Sequence, residues 1–307
     1  MTVAVSVKRA LCADTSSGAA ESLAATASRI DHWILVEYRG LWDRDVLGGS
    51  LLSEELKAHF RAQLARLPHS RLLFVKQPER RSYGRRQLFF GSSRPAEERF
   101  FGLEFDAHDD LVALDFVSAL RDGGTPGVPV SHPLYVVCTH GKRDRCCATY
   151  GQPLYEGLRR EADEGWVWQS THVGGDRFAG NVVCLPHGLY YGRVADDDLG
   201  AIVAGYEEGQ IHMERYRGRS HHTFVVQAAD RAVREATGLV AIDDVAYESV
   251  AAAGEDALLV RMRADGGVHE VEVVSELGEA AVHLTCGSAT PQRARRYSAT
   301  SHRLVSG

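Results

Sequence analysis

Cysteines 138, 146 and 147 lie within ten residues of one another in the stretch LYVVCTHGKRDRCC, and His172 and Asp176 follow in STHVGGDRFAGN. Cys138 and Cys147 enclose eight residues, and His172 and Asp176 enclose three. Thiolate, imidazole and carboxylate are the side chains that bind transition metals. Sulfide-bridged iron needs soft anionic thiolates, and histidines can replace one cysteine pair on a single iron. Zinc accepts the same atoms in tetrahedral geometry. The spacing alone does not choose between the two metals.

Two strand ends must present these groups. An apolar run at 134–137 delivers Cys138 to the end of a strand, and the polar loop THGKRDR leads to a helix expected over 147–161 with Leu154, Leu158 and Ala162 on one side. A second strand over 166–169 ends in Ser170-Thr171-His172, and Val173-Gly174-Gly175 turns the chain into Asp176. Strands over 181–185 and 189–194 follow, joined by Pro186-His187-Gly188. The preceding segment has a similar order: a strand at 32–38, a helix opened by Ser53 with Leu56, Phe60, Leu64 and Leu67 at helical spacing, then strands at 71–76, 87–90, 99–105 and 111–115. The glycine- and proline-dense loop 121–129 makes a domain boundary.

The expected class is therefore α+β. Its divisions are a loosely ordered arm at 1–29 with one short helix, an α+β half at 30–127, the ligand-bearing half at 128–205, and a small α+β accessory region at 206–307. The two halves read as distant copies, and only the second has clustered cysteines. From residue 198 on, helices are expected at 199–207 and 220–237, and Asp265-Gly266-Gly267 marks a hairpin between strands at 257–262 and 268–274. A strand at 281–285 precedes Cys286, and the basic ending PQRARRYSATSHRLVSG reads as a solvated tail.

The neighbouring residues have plainer roles. Lys142, Arg143, Arg145 and Arg177 read as a charged, exposed surface able to dock an acidic partner, and Asp144 as an arginine's ion-pair partner. Gly174 and Gly175 suit a tight turn with positive φ. Phe178 and Asn181 pack and cap, Cys184 is a small buried hydrophobe in mid-strand, and His187 is a turn residue. Cys12, alone in the arm, is read as incidental.

With 307 residues, 44% hydrophobic and 25% charged, the chain has the composition of a globular protein of two or three domains. A net charge of −6 argues against general nucleic-acid binding, which draws its affinity from Lys and Arg on phosphates. No 18-residue apolar run is present, so no membrane span is expected. The first residues lack a compact apolar segment after a basic start, so the cytoplasm is the expected compartment, where six scattered cysteines remain thiols. There is no Cys-x-x-Cys, no phosphate-binding glycine loop and no evident catalytic carboxylate pair. A phosphatase loop, Cys-x5-Arg, fails by one residue, since Asp144 occupies the arginine position after Cys138.

The runs CTHGKRDRCC, HVGGDRFAGN and LPHGLYYGRV, with HWILVEYRGLW earlier, resemble the sucrase/ferredoxin-like family over most of residues 30–240. The resemblance implies a thioredoxin-like [2Fe-2S] ferredoxin domain, preceded by a degenerate thioredoxin-like half. In family members a Cys-x8-Cys pair and a His-x3-His pair hold the cluster. Cys138, Cys147 and His172 match this motif, and Asp176 stands where it has its second histidine. A carboxylate can bind iron through oxygen; Cys146, His140 or water are the other candidates for the fourth bond. The implied role is an electron carrier or redox sensor serving an unidentified redox partner protein. The alternatives are a cluster-free thiol oxidoreductase, in which Cys146 or Cys147 at a helix N-terminus is the reactive thiol, or a zinc-binding or partner-binding module.

Overall fold

The structure is a computed structural model that describes residues 10–80, 84–121 and 127–306. Residues 1–9 of the arm and 122–126 of the boundary loop lie outside the described residues.

A short helix, α1 (Cys12–Gly18), precedes β1 (His32–Glu37), which is buried along its whole length. Helix α2 (Glu54–Arg66) begins where the Ser53 hydroxyl accepts the Leu56 amide, the cap expected from sequence. Then come β2 (Ser70–Lys76), β3 (Arg86–Ser92), β4 (Arg99–Phe105), α3 (Phe116–Arg121) and the two-residue β5 (Val128–Pro129). β1 pairs parallel with β2 and antiparallel with β3, and β3 pairs antiparallel with β4.

The second half repeats this connectivity. β6 (Leu134–Cys138), α4 (Arg145–Glu161), β7 (Val167–Ser170), β8 (Val182–Leu185) and β9 (Leu189–Tyr191) follow in the same order. β6 pairs parallel with β7 and antiparallel with β8, and β8 antiparallel with β9. Helix α5 (Leu199–Glu207) and strand β10 (Tyr216–Arg219) complete a ten-stranded mixed sheet in the order β10-β9-β8-β6-β7-β2-β1-β3-β4-β5. The halves meet where β2 and β7 run antiparallel, through the pairs Val75↔Ser170 and Lys76↔Gln169.

Both faces of the sheet are covered, which is why its strands read as unbroken apolar runs. Successive side chains point to opposite faces. Trp33 and Leu35 of β1 therefore join Leu134, Val136 and Cys138 of β6 in one core, while Ile34 and Val36 pack under α2 and α3. Tyr135 and Val137 face Leu154, Tyr155 and Leu158 of α4.

After α6 (Phe224–Thr237), strands β11 (Ala246–Ala252), β12 (Ala257–Ala264), β13 (Gly267–Val282) and β14 (Gln292–Ser306) form a separate antiparallel sheet in sequential order. The predicted Asp-Gly-Gly hairpin is present, with Asp265 and Gly266 both at positive φ. The fold is thus mixed α+β, with a large sheet and a separate four-stranded one.

Four expectations fail for local reasons. Residues 111–115 are not a strand: a 3-10 turn, His108–Ala113, forms there, stabilised by the Asp110 carboxylate accepting the Ala107 amide. The basic ending is not a solvated tail but β14, whose charges are matched across the ladder, Arg303 on Glu270 and Arg296 on Glu276. The helix expected from 220 begins at Phe224, because Thr223 caps it and Tyr216–Arg219 is strand. The separate strand expected at 281–285 is instead the end of β13, which pairs with β14 as far as Val282 before the chain turns at 283–285; the exposed strand β11, not expected, has no clear apolar alternation to announce it.

Three histidines beside β10 couple this fold to pH. Burial, then the Arg219 charge, pulls His187 down to about 4 and His221 down to about 2. Burial and the neighbouring His221 hold His222 well below its ordinary value. The unfolded chain takes protons on these rings near pH 6.5 and the folded chain does not. Their contribution is complete above pH 6.5 and declines toward pH 4, by up to about 1.4 kcal/mol per pH unit for each ring. Urea unfolding should therefore show a lower midpoint at pH 5 than at pH 7.5, with a shallower decline in His221→Gln; identical slopes for the two proteins would refute this assignment.

Candidate metal centre

β6 ends at Cys138, on the same face as Leu134 and Val136 and 2% exposed. The loop after it returns to Asp144, whose carboxylate accepts the Cys146 amide and caps α4. The helix thus begins two residues before the expected start, and Cys147 lies in its first turn. A close approach of helix and strand brings Cys147 to Cys138: a Cβ on Gly151 would lie 2.0 Å from the Cys138 carbonyl oxygen, so only glycine fits.

The other two groups follow β7. The Thr171 amide donates to the Phe74 carbonyl at 2.9 Å and its hydroxyl accepts the Phe74 amide at 3.0 Å, which fixes His172 one residue on. Gly174 and Gly175 have φ of 108° and 84° and turn the chain into Asp176. A Cβ on Gly175 would also meet the Arg217 guanidinium at 2.4 Å.

Three candidate ligands, Cys138, Cys147 and His172, converge within 4.8 Å of one another, and Asp176 lies against two of them. His172 Nδ1 lies 3.9 Å from Cys138 Sγ and 3.8 Å from Cys147 Sγ. Asp176 Oδ1 is 3.4 Å from Cys147 Sγ and 3.0 Å from His172 Nδ1. Cys147 is 1% exposed and Asp176 5%, whereas the His172 side chain is 20% exposed and forms the open edge.

Charge in this pocket is shared. Donation from the Cys147 S–H is the largest reason that Cys138 titrates well below an ordinary thiol, against burial, with His172 assisting. The same bond, then burial, then the Cys138 and Asp176 charges push Cys147 up. Burial raises Asp176, opposed by His172.

Behind the turn lies buried Arg217, which makes no ion pair with a carboxylate among the described residues. It donates to the Gly174 carbonyl at 3.2 Å and Asn181 Oδ1 at 2.8 Å, and packs on the rings of Phe178 and Tyr190. Burial lowers it to about 10, and the Cys138 thiolate is among the charges that offset this.

His140 is buried with its ring edge-on to Trp42, outside the converging set. Cys146 points elsewhere: its Sγ lies 3.4 Å from that of Cys12 and 3.2 Å from that of Cys286. Cys12 is therefore not incidental, and Asp144 pairs with backbone amides rather than an arginine, accepting from Cys286 N as well as Cys146 N. Arg177 is not a solvated charge, since it bonds Glu21 at 2.7 Å. Lys142, Arg143 and Arg145 are exposed, and Cys184 is fully buried, as expected. No spacing rule could have found the second cysteine group, because Cys12 and Cys286 are 134 and 140 residues from Cys146.

A family model described as Sucrase/ferredoxin-like matches residues 23–218. The chain belongs to this family. The sucrase/ferredoxin-like match covers Cys138, Cys147, His172 and Asp176 but neither Cys12 nor Cys286. The chain is also similar to Altered inheritance of mitochondria protein 32 of Meyerozyma guilliermondii, 36% identical over 103 residues. That alignment takes in 29% of this chain and 35% of the relative, so the chain spans about a third of the curated relative it matches. No solved structure matches. Among the described residues, no helix is long and apolar enough to cross a membrane.

The helix–strand contact at Gly151 gives a direct test. Gly151→Ala should lower stability by about 1–3 kcal/mol, an ordinary overpacking cost, and raise the reactivity of Cys138 and Cys147 toward a thiol reagent. Wild-type stability and reactivity in this variant would show that the close approach is not needed.

Proposed function

We propose that this chain is a [2Fe-2S] protein of the ferredoxin type, an electron carrier or redox sensor rather than a turnover enzyme. The convergence of Cys138, Cys147 and His172, whose ligand atoms lie within 4.8 Å of one another, with Asp176 at 3.0 Å from His172 and 3.4 Å from Cys147, carries the reading. The donor set fits such a cluster: two buried thiols, one imidazole and one carboxylate, with the buried Arg217 cation behind them. When bound, the cluster supplies one-electron transfer.

The chain's own residues do the rest. Cys138 and Cys147 provide the thiolates, and their burial excludes water. The partly exposed edge at His172 is the route from the site to a partner, and exposed Lys142, Arg143 and Arg145 offer an acidic redox protein a docking surface. Asp176 in place of imidazole adds negative charge and favours the oxidised state. The repeated β-α-β-β-β order of residues 30–127 and 128–205 supports a thioredoxin-like reading of both halves, with 206–307 as the accessory region. Six free thiols suit a reducing compartment such as the cytoplasm.

One observation favours a second reading, a single zinc ion on the same side chains. Ligands on one tetrahedral ion lie roughly 3.3–3.8 Å apart, from metal–ligand bonds of about 2.0–2.3 Å, and the separations of His172 Nδ1 from the two sulfurs, 3.9 and 3.8 Å, are similar.

Anaerobically purified protein should be brown, contain two irons and two sulfides per chain, and lose both in Cys147→Ser. Colourless protein after anaerobic reconstitution, with zinc instead, would replace the first reading with the second. In the brown protein, Asp176→His should raise the reduction potential by roughly 100 mV, a part of the gap of about 250 mV or more that separates all-thiolate from bis-imidazole centres. An unchanged potential, followed by EPR during redox titration, would show that Asp176 is not a ligand.

A further inference from the structure

The second cysteine group is built like a metal site of its own. The Sγ atoms of Cys12, Cys146 and Cys286 form a triangle with sides of 3.2, 3.4 and 3.6 Å. Three thiolates on one tetrahedral ion, with metal–sulfur bonds of about 2.3 Å, form a triangle with sides of roughly 3.8 Å. The Asp144 carboxylate oxygens lie 3.9 and 4.0 Å from Cys12 Sγ, close enough to supply a fourth bond. Cys12 and Cys146 are fully buried, Asp144 is 4% exposed, and Cys286 is partly exposed, which leaves an entry path.

Backbone amides complete the environment. Cys12 N donates to Cys286 Sγ and Ala13 N to Cys146 Sγ, each at 3.4 Å, so two of the sulfurs are treated as acceptors. The apolar contacts here are few and small: buried Cys12, Ala13, Cys146 and Ala179, with Leu11, Tyr150 and Cys286 partly covered. Helix α1 has seven residues and no side-chain hydrogen bond at its N-cap. Hydrophobic burial of that size is a small anchor for the start of the arm and for the β13–β14 loop, and a structural metal is one of the staples that add to a small core.

We propose that Cys12, Cys146 and Cys286, with Asp144, bind one thiophilic divalent cation of the zinc class, which staples α1 and the β13–β14 loop to the first turn of α4. The site is separate from the Cys138/Cys147 centre and does not depend on what that centre holds. Its position matters to that centre, because Cys146 and Cys147 are adjacent. Binding holds the helix start from one side while Cys147 faces the other. Cys12 and Cys286 lie outside the residues matched by the family model.

The test uses the full chain with Cys138→Ser and Cys147→Ser, which removes the thiolates of the first centre. Anaerobic titration with cobalt(II) should saturate at one equivalent, with sulfur-to-cobalt charge-transfer absorption and the visible bands of a tetrahedral ion, and zinc should displace it. Adding Cys286→Ser should weaken binding at least about 100-fold, beyond the loss of an outer hydrogen bond. Weak octahedral spectra without charge transfer would overturn the proposal, and so would a disulfide among Cys12, Cys146 and Cys286 in anaerobically prepared protein. If the serine variants do not fold, the wild type decides through alkylation followed by mass spectrometry. Zinc should then protect Cys12, Cys146 and Cys286 together, and protection of fewer than all three would count against the site.

Discussion

Asp144 is buried, and both of its carboxylate oxygens accept backbone amides, Oδ1 from Cys146 and Oδ2 from Cys286. A buried carboxylate left without such partners is costly, so this arrangement fixes where α4 starts and what lies beside it. Consecutive residues of a helix are separated by about 100°, so two neighbouring cysteines in its first turn cannot face the same pocket. Cys147 turns toward β6 and β7, and Cys146 toward the arm and the small sheet. The two thiol groups described above follow from one helix cap.

Some of this was legible in the sequence and some was not, for identifiable reasons. The apolar runs that became β1, β2, β6 and β8 are buried on both faces, so hydrophobicity alone marked them. Ser53 and the Asp265-Gly266 turn were readable because their chemistry is local. Cys138, Cys147, His172 and Asp176 lie on chain segments that the strand-helix-strand order places together, so their meeting could be anticipated. The Cys12–Cys146–Cys286 group could not, because it joins three segments through tertiary packing. Strands β10 and β14 were missed because charge disguised them: Arg217 and Arg219 are buried on hydrogen bonds, and Arg296 and Arg303 of β14 face Glu276 and Glu270 on β13.

The repeated connectivity of the two halves explains how a single sheet can support one centre. Each half contributes a parallel pair bridged by a helix and an antiparallel pair beyond it. Only in the second half does the strand before the helix end in a cysteine. In the first half the corresponding strand ends in Glu37, buried and bonded to Arg39 and the Gln87 amide. A structural charge there occupies the position that carries a candidate ligand in the other half.

The joint between the halves is short, with two residue pairs in register and Thr171 extending it to Phe74. His172 is the next residue. The large sheet therefore has one of its shortest strand pairings immediately beside its most exposed candidate ligand. Sliding of one half along the other would displace the imidazole directly, so mechanical compliance of the sheet is built into the candidate site.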